Sequence, residues 1–355
     1  AGTGRFGNTR NRSGGGISMA PVEGVKSVHP LNASQPAGHV VGAIDDNMAY
    51  PLLVWAWSLL RTAERSLFFT IGFLSGTLSD QKRHLLEEFF TQWGIDYEFC
   101  ELAHDPRFVA QGHISPTTFA KFLLADRISS AHVWIDADAI GQPGWDQIFD
   151  AVDGATKAKL LLVAGRNHGE INVEKSNRLA FNAGVLGWPA KARRPWSRRL
   201  DQMDLVETQE QQLFNDLYGD VLEVISSDFN TLSYQVDSLS SSPNKPRVIH
   251  FAGPQKPWHL STRFRGRCRQ HHCPWSAWFE EEEMMLGALE SSSLRAVVVG
   301  MRSEAQGMGS FPVGRHNRGR LLLWLLSRLG PAGWIVIAFG AMARPIIPTG
   351  THPLH

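Results

Sequence analysis

From Gly38 onward, short apolar runs alternate with longer segments whose apolar residues recur three and four positions apart, a pattern that predicts strands followed by helices. His39–Ile44 is predicted as a strand, Tyr50–Thr62 as a helix, Ser66–Leu74 as a strand and Ser79–Trp93 as a helix capped by Ser79. Tyr97–Leu102 follows as a strand, and Ser115-Pro116 supplies an N-cap and a first-turn proline for a helix over Thr117–Arg127. His132–Asp138 is the next strand and closes on two carboxylates. Later strands are expected at Lys159–Gly165, Phe181–Trp188, Val221–Ser226 and Arg247–Phe251, with helices over Glu210–Tyr218 and Trp275–Leu289. The acidic run Glu280–Glu283 on the last of these is expected to be its solvated face. Such alternation predicts an α/β domain, a mostly parallel sheet covered by helices on both faces, with ligands beyond the carboxyl ends of the strands.

The two ends of the chain differ from this pattern. Residues 1–37 are rich in Gly, Ser, Asn and Arg without apolar periodicity and are expected to form a flexible tail. The domain is placed at 38–290, followed by a basic and apolar extension at 291–355. Residues 294–355 hold seven Arg against one acidic residue, Glu304, and the apolar stretch Leu321–Ala343 is interrupted by Arg328 and Gly330-Pro331. The uninterrupted pieces fall short of the roughly 20 residues that span a bilayer. The expectation is either peripheral membrane contact, with Arg315, Arg318 and Arg320 facing anionic headgroups, or a helical flap on the core.

With 43% hydrophobic and 19% charged residues the chain can bury a substantial core, which argues against a disordered or fibrous protein. A net charge of +1 provides no field for nucleic acid, so no nucleic-acid partner is expected. Three cysteines do not make a disulfide framework and fit a reducing compartment. Cys268-Arg-Gln-His-His-Cys273 lacks the rest of a zinc-finger spacing and is taken as a surface loop. The expected location is the cytoplasm, with a membrane surface or the Golgi lumen left open.

Two segments carry the chemistry. In Asp136-Ala137-Asp138, side-chain alternation along a strand would send both aspartates to one face at the strand's exit. Two hard oxygen ligands there suit Mg²⁺ or Mn²⁺ bridging a diphosphate, although Asp-x-Asp in isolation also serves as a turn or helix cap. In His250-Phe-Ala-Gly253-Pro-Gln-Lys256-Pro-Trp258, the imidazole can add a third metal ligand. Gly253 lets backbone approach phosphate, and Lys256 supplies a positive charge.

The motif His-x-x-Gly-x-x-Lys-Pro-Trp resembles that of glycosyltransferase family eight, the group of glycogenin and the bacterial lipopolysaccharide galactosyl- and glucosyltransferases. Other landmarks occur in the family's order. They are Asp45-Asp46-Asn47 after the first strand, His113 to Lys121 opening a helix, Asp136-x-Asp138, Phe181-Asn182-Ala-Gly184-Val-Leu, and Glu210-Gln211-Gln212-Leu-Phe-Asn215. The resemblance covers about residues 38–278. It implies a GT-A-type, Rossmann-like fold and a metal-dependent, retaining transfer of a hexosyl group from a UDP-sugar, of the glucose or galactose class, to a glycan, lipid-linked or protein acceptor. It further implies that Ala43, Asp45 and Asn47 hold the nucleoside, that Lys121, Gly253 and Lys256 meet the diphosphate, and that Asp136, Asp138 and His250 bind Mn²⁺ or Mg²⁺. Asn182 and Gln211 would face the donor sugar as the catalytic pair.

From the residues by themselves, Asp45 and Asn47 also suit helix capping, Asn182 a strand edge, and Lys121 and Gln211 ordinary exposed positions on helices. The chain departs from the family at Glu210-Gln211-Gln212, where relatives carry Asp-Gln-Asp or Asp-Gln-Gly, and at Gly187-Trp188-Pro189. A sugar-binding aspartate usual before Phe-Asn-Ala-Gly has no counterpart in Val163–His168. The competing readings are a UDP-sugar-binding member without transfer activity and a nucleotidyltransferase. Against the latter, acidic Asp45-Asp46 stand where a basic glycine-rich loop would be needed.

Overall fold

The computed structural model describes residues 37–108, 110, 115–158, 161–164, 181–190, 196–202, 209–219, 221–239, 245–260, 265 and 273–308. The tail at 1–36, the basic extension beyond 308, His113, Cys268 and the Arg166–His168 stretch lie outside them.

Strands β1 (Gly38–Ala43), β2 (Leu67–Leu74), β3 (Asp96–Leu102), β4 (His132–Ile135), β6 (Leu161–Ala164), β7 (Val185–Trp188) and β8 (Leu222–Ile225) form a seven-stranded sheet in the order β3-β2-β1-β4-β7-β6-β8. All neighbours run parallel except β7, which is antiparallel to both β4 and β6. Between β4 and β6 lies β5 (Ala139–Gly141), which with β9 (Thr231–Leu232) and β10 (Val248–His250) makes a second, three-stranded sheet in the order β5-β10-β9. The helices are α1 (Ala49–Thr62), α2 (Asp80–Gln92), α3 (Ala120–Arg127), α4 (Ile148–Ala158), α5 (Trp196–Leu200), α6 (Gln209–Tyr218), α7 (Ser276–Ala288) and α8 (Leu294–Met308). The large sheet with helices on both faces is the α/β architecture expected from the sequence.

The continuous apolar strands follow from that double cover. Val40 and Val41 in β1 point to opposite faces and are both fully buried, and in β2 Phe69 and Ile71 on one face and Thr70 on the other are buried too. One face packs under α3 and α6 through Phe122, Trp134, Leu186 and Phe214. On the other, α1 is buried on nearly every side, because β5, α2, α7 and α8 all pack against it. The chain goes from β1 to β2 to β3 on one side and returns on the other side of β1 as β4, so the switch in strand order falls between β1 and β4. Their carboxyl ends bring Ala43–Asp45 and Asp136–Asp138 to the same edge of the sheet, the edge at which open α/β sheets bind ligands.

Several local expectations are corrected. Ser79 stands at the N-cap of α2 without capping it; its backbone N–H and hydroxyl both donate to Asp46 Oδ1, at 2.7 and 3.0 Å. The strand expected at Phe181–Trp188 begins only at Val185, because Asn182–Gly184 form a turn held by the Asn182 side chain. The acidic run is not a solvated face: Glu280 and Glu283 are exposed, but Glu281 and Glu282 are buried. Glu281 pairs with Arg61 of α1, while Glu282 accepts from Tyr50, Arg265 and Arg302. Burial makes an unpaired carboxylate costly, and these cations and the phenol offset that cost.

Arg302 lies on α8, which packs on α1 and on the 3₁₀ turn Pro257–His259. Residues 291–308, grouped by composition with the extension, thus join the compact unit that runs through Met308. Among the described residues no helix is long and apolar enough to cross a membrane. Cys273 is buried and disulfide-bonded while Cys100 is free, which corrects the expectation that all the cysteines are reduced; the rest of the segment read as a surface loop lies outside the described residues.

Replacing Glu282 with Ala would remove the buried carboxylate that Tyr50, Arg265 and Arg302 share. The expected cost is about 3–5 kcal/mol of stability in denaturant unfolding, against about 0.5 kcal/mol or less for Ala at exposed Glu280.

Candidate active site

Strand β4 ends at Ile135, and Asp136-Ala137-Asp138 is a tight turn in which Ala139 N–H donates to Asp136 O at 3.1 Å. The two aspartates therefore converge because the chain folds back from the large sheet into the small one, not by alternation along a strand as expected. Backbone contacts pin the turn at both ends: Asp136 N–H donates to Gly184 O at 2.8 Å, and Phe251 N–H donates to Asp138 O at 2.9 Å. Pairing of β5 with β10 then sets His250 opposite Ala139. His250 Nε2 lies 3.1 Å from Asp138 Oδ1 and 3.9 Å from Asp136 Oδ2. The three residues offer ligand atoms all within 4.8 Å of one another. Two carboxylate oxygens and one imidazole nitrogen form a donor set that would fit a divalent cation such as Mn²⁺ or Mg²⁺.

Two lysines balance these acids. Gly253, at φ +101°, makes the turn that returns Lys256 toward its own strand, where its ammonium donates to Asp138 Oδ2 and, at 2.9 Å, to Phe251 O. Burial opposes the charge on Asp138, but Lys256 and His250 outweigh it and hold the carboxyl far below the usual carboxylate range.

Lys121 is not the exposed helix lysine that the sequence allows. Its side chain is 1% exposed, and its ammonium donates to Glu210 and to Ala183 O at 3.0 Å and lies 3.5 Å from Asp136 Oδ1. Burial disfavours this cation, but Asp136 and Glu210 more than compensate and keep it protonated. Burial pushes the Glu210 carboxyl up, against the pull of Lys121 and with the repulsion of Asp136. The charge expected on the diphosphate is thus spent, in this structure, on Asp136 and Glu210 from the protein side.

At the end of β1, half-buried Asp45 accepts from Asn47 N–H at 3.0 Å and from the Ser115 hydroxyl at 2.8 Å, so its capping role is realised. Asn47 is exposed, and Ala43 is half-buried at the strand terminus. Asn182 faces the metal cluster's histidine support: its Oδ1 accepts from Gly184 N–H at 2.9 Å and from Asn230 Nδ2 at 3.0 Å, while Asn230 Oδ1 meets His250 Nδ1 at 3.0 Å. Gln211 sits on α6 beside Glu210; its side chain lies outside the described residues.

Three participants were not foreseen. Trp134 Nε1 donates to Asp136 Oδ1 at 2.6 Å, Glu210 grips Lys121, and Asn230 contacts His250. The indole one alternation before Asp136 was a usable signal. Asn230, 20 positions from His250, offered none.

Comparison with known proteins bears on the family and the fold. A family model described as glycosyl transferase family 8 matches residues 39–262, well over half of the chain. The solved structure of galactosyltransferase LgtC with donor and acceptor sugar analogs is similar at 22% identity over 68% of this chain and 99% of that one, with a TM-score of 0.51. An active-site mutant of LgtC is similar at 22% identity over 63% and 90%, with a TM-score of 0.52. At that identity the likeness is one of fold. No curated protein sequence matches.

Gly184 has a specific steric duty. A Cβ there would lie 2.2 Å from His250 Cε1 and 2.4 Å from Nδ1. Gly184→Ala is expected to displace the imidazole and to cost about 1–3 kcal/mol in denaturant unfolding, with the shifted ring visible in a crystal structure of the variant.

Proposed function

Because the chain belongs to glycosyl transferase family 8 and is a glycosyltransferase, we propose that it moves a hexosyl group from a UDP-sugar to a glycan, lipid-linked or protein acceptor with retention at the anomeric carbon. The observation that carries this reading is the meeting of Asp136, Asp138 and His250 at the switch point of the sheet. Those three side chains would hold Mn²⁺ or Mg²⁺, which when bound supplies positive charge to the diphosphate as it becomes the leaving group.

The chain's own residues have distinct tasks in this scheme. Ala43, Asp45 and Asn47, one strand away from the acids, bind the nucleoside. Gly253 leaves room for the diphosphate and Lys256 adds a cationic donor to it. Asn182 and Gln211 orient the sugar. The anomeric C–O bond breaks with its electron pair going to UDP, the acceptor oxygen attacks the same face, and the acceptor's proton passes to the departing diphosphate oxygen. Gln211, an amide without nucleophilic charge, supports the cationic ring and forms no bond to it.

UDP release from a panel of UDP-sugars should require Mn²⁺ or Mg²⁺, stop on chelation and return on re-addition. Asp138→Asn should lower kcat/KM by about 100-fold or more. No metal-dependent turnover with any donor would instead favour a binding protein. Gln211→Ala should slow transfer yet leave measurable activity; complete loss with normal donor affinity, or a sugar adduct trapped on a side chain, would point to a covalent route.

A further inference from the structure

The hydrogen bonds behind the cluster form a chain whose polarity can be read from one end. Gly184 N–H can only donate, so the Asn182 atom 2.9 Å from it is the amide oxygen. That oxygen and the Asn182 backbone carbonyl each lie 3.0 Å from a single terminal atom of Asn230. Both are acceptors, so this atom is the Asn230 amide nitrogen. The other terminal atom of Asn230 is therefore oxygen, and it lies 3.0 Å from His250 Nδ1. An amide oxygen offers nothing to donate, so Nδ1 carries the hydrogen. The ring's other nitrogen, Nε2, faces the carboxylates of Asp138 and Asp136 at 3.1 and 3.9 Å; these also only accept, so a hydrogen sits there as well until a cation takes its place.

We propose that Asn230 is a positioning residue that locks His250 with its hydrogen on Nδ1, leaving Nε2 as the only ring atom able to share a divalent cation with Asp136 and Asp138. The inference rests on the metal reading given above and adds to it the group that makes the imidazole a competent ligand. A metal-bound imidazole needs one nitrogen as lone-pair donor, and the partner of the opposite nitrogen decides which. Burial sharpens the effect. His250 and Asn230 are 3% and 6% exposed, so water cannot readily replace a lost partner. Asn230 sits between the 3₁₀ turn Ser227–Asn230 and β9, which pairs in parallel with β10, so the same strand pairing that seats His250 also delivers its anchor. Through Asn182 the anchor continues to a residue assigned to the donor sugar, coupling the metal ligand and the sugar contact by two side-chain amides.

The test uses the full chain, labelled with ¹⁵N-histidine and saturated with Mg²⁺, which occupies the carboxylates without paramagnetic broadening, at a pH high enough for the ring to be neutral. The His250 resonances are assigned by their loss in His250→Gln. The unsubstituted protein should show the Nδ1–H tautomer. Asn230→Asp, which can still only accept, should keep it. Asn230→Leu, of similar shape but with neither donor nor acceptor, should give a mixture and bind Mn²⁺ about 10- to 100-fold more weakly by electron paramagnetic resonance titration without nucleotide. The Nε2–H tautomer in a protein that binds Mn²⁺ would overturn this inference while leaving the metal site intact. So would a folded Asn230→Leu variant with unchanged tautomer and Mn²⁺ affinity within about twofold of the parent. The expected tautomer in a protein that binds no Mn²⁺ would overturn the metal reading itself and the role assigned to Asn230 with it.

Discussion

The backbone pairing of β5 with β10 is the contact on which the rest of the site depends. It joins a three-residue strand that follows the acidic turn to a three-residue strand more than 100 positions later, placing Ala139 opposite His250. Without it, the imidazole has no fixed relation to the two aspartates. The pairing is short, so it is reinforced from both sides. Phe251 N–H closes on Asp138 O beyond its end, and Gln142 N–H closes on Arg247 O before its start.

Crowding acids at a half-buried site is costly unless positive charge is close, because desolvation disfavours each carboxylate and like charges repel. The protein answers from two directions. Lys256 approaches Asp138 from the glycine turn. Lys121 approaches Asp136 from within the core, over the Trp134 ring, and shares its charge with Glu210. The two lysines, both assigned to the diphosphate by resemblance, thus divide into one near the cleft and one beneath it. The family match spans residues 39–262 and so includes Lys121 and Glu210, which meet in the core, as well as Lys256.

The same economy of charge governs the opposite side of the core. Glu281 and Glu282 bind α7 to α1 and α8 through Arg61, Arg265, Arg302 and Tyr50. Helix α8 also packs on the Pro257–His259 turn that follows Lys256, so the far side of the domain is mechanically continuous with the site. The composition of residues 294–308, basic and partly apolar, gave no hint of that docking.

By itself the sequence determined most of the strands and helices from Gly38 to Ala288, though not β5, β9, α4 or α5, as well as the double cover of the sheet, and it singled out Asp136, Asp138, His250 and Lys256, which the structure brings together. These are legible because periodicity and motif spacing are local properties, fixed by which face of an element must be buried. Tertiary structure alone decided which polar residues are buried and with whom. Lys121, Glu281 and Glu282 look like ordinary surface charges in sequence, and Asn230 looks like any loop residue. Their partners lie far along the chain, 89 positions for Lys121 and Glu210 and 232 for Tyr50 and Glu282. A local pattern reports the preferences of a segment; it cannot report a charge or an amide that another segment brings to meet it, and that meeting is what makes burial of a polar group tolerable.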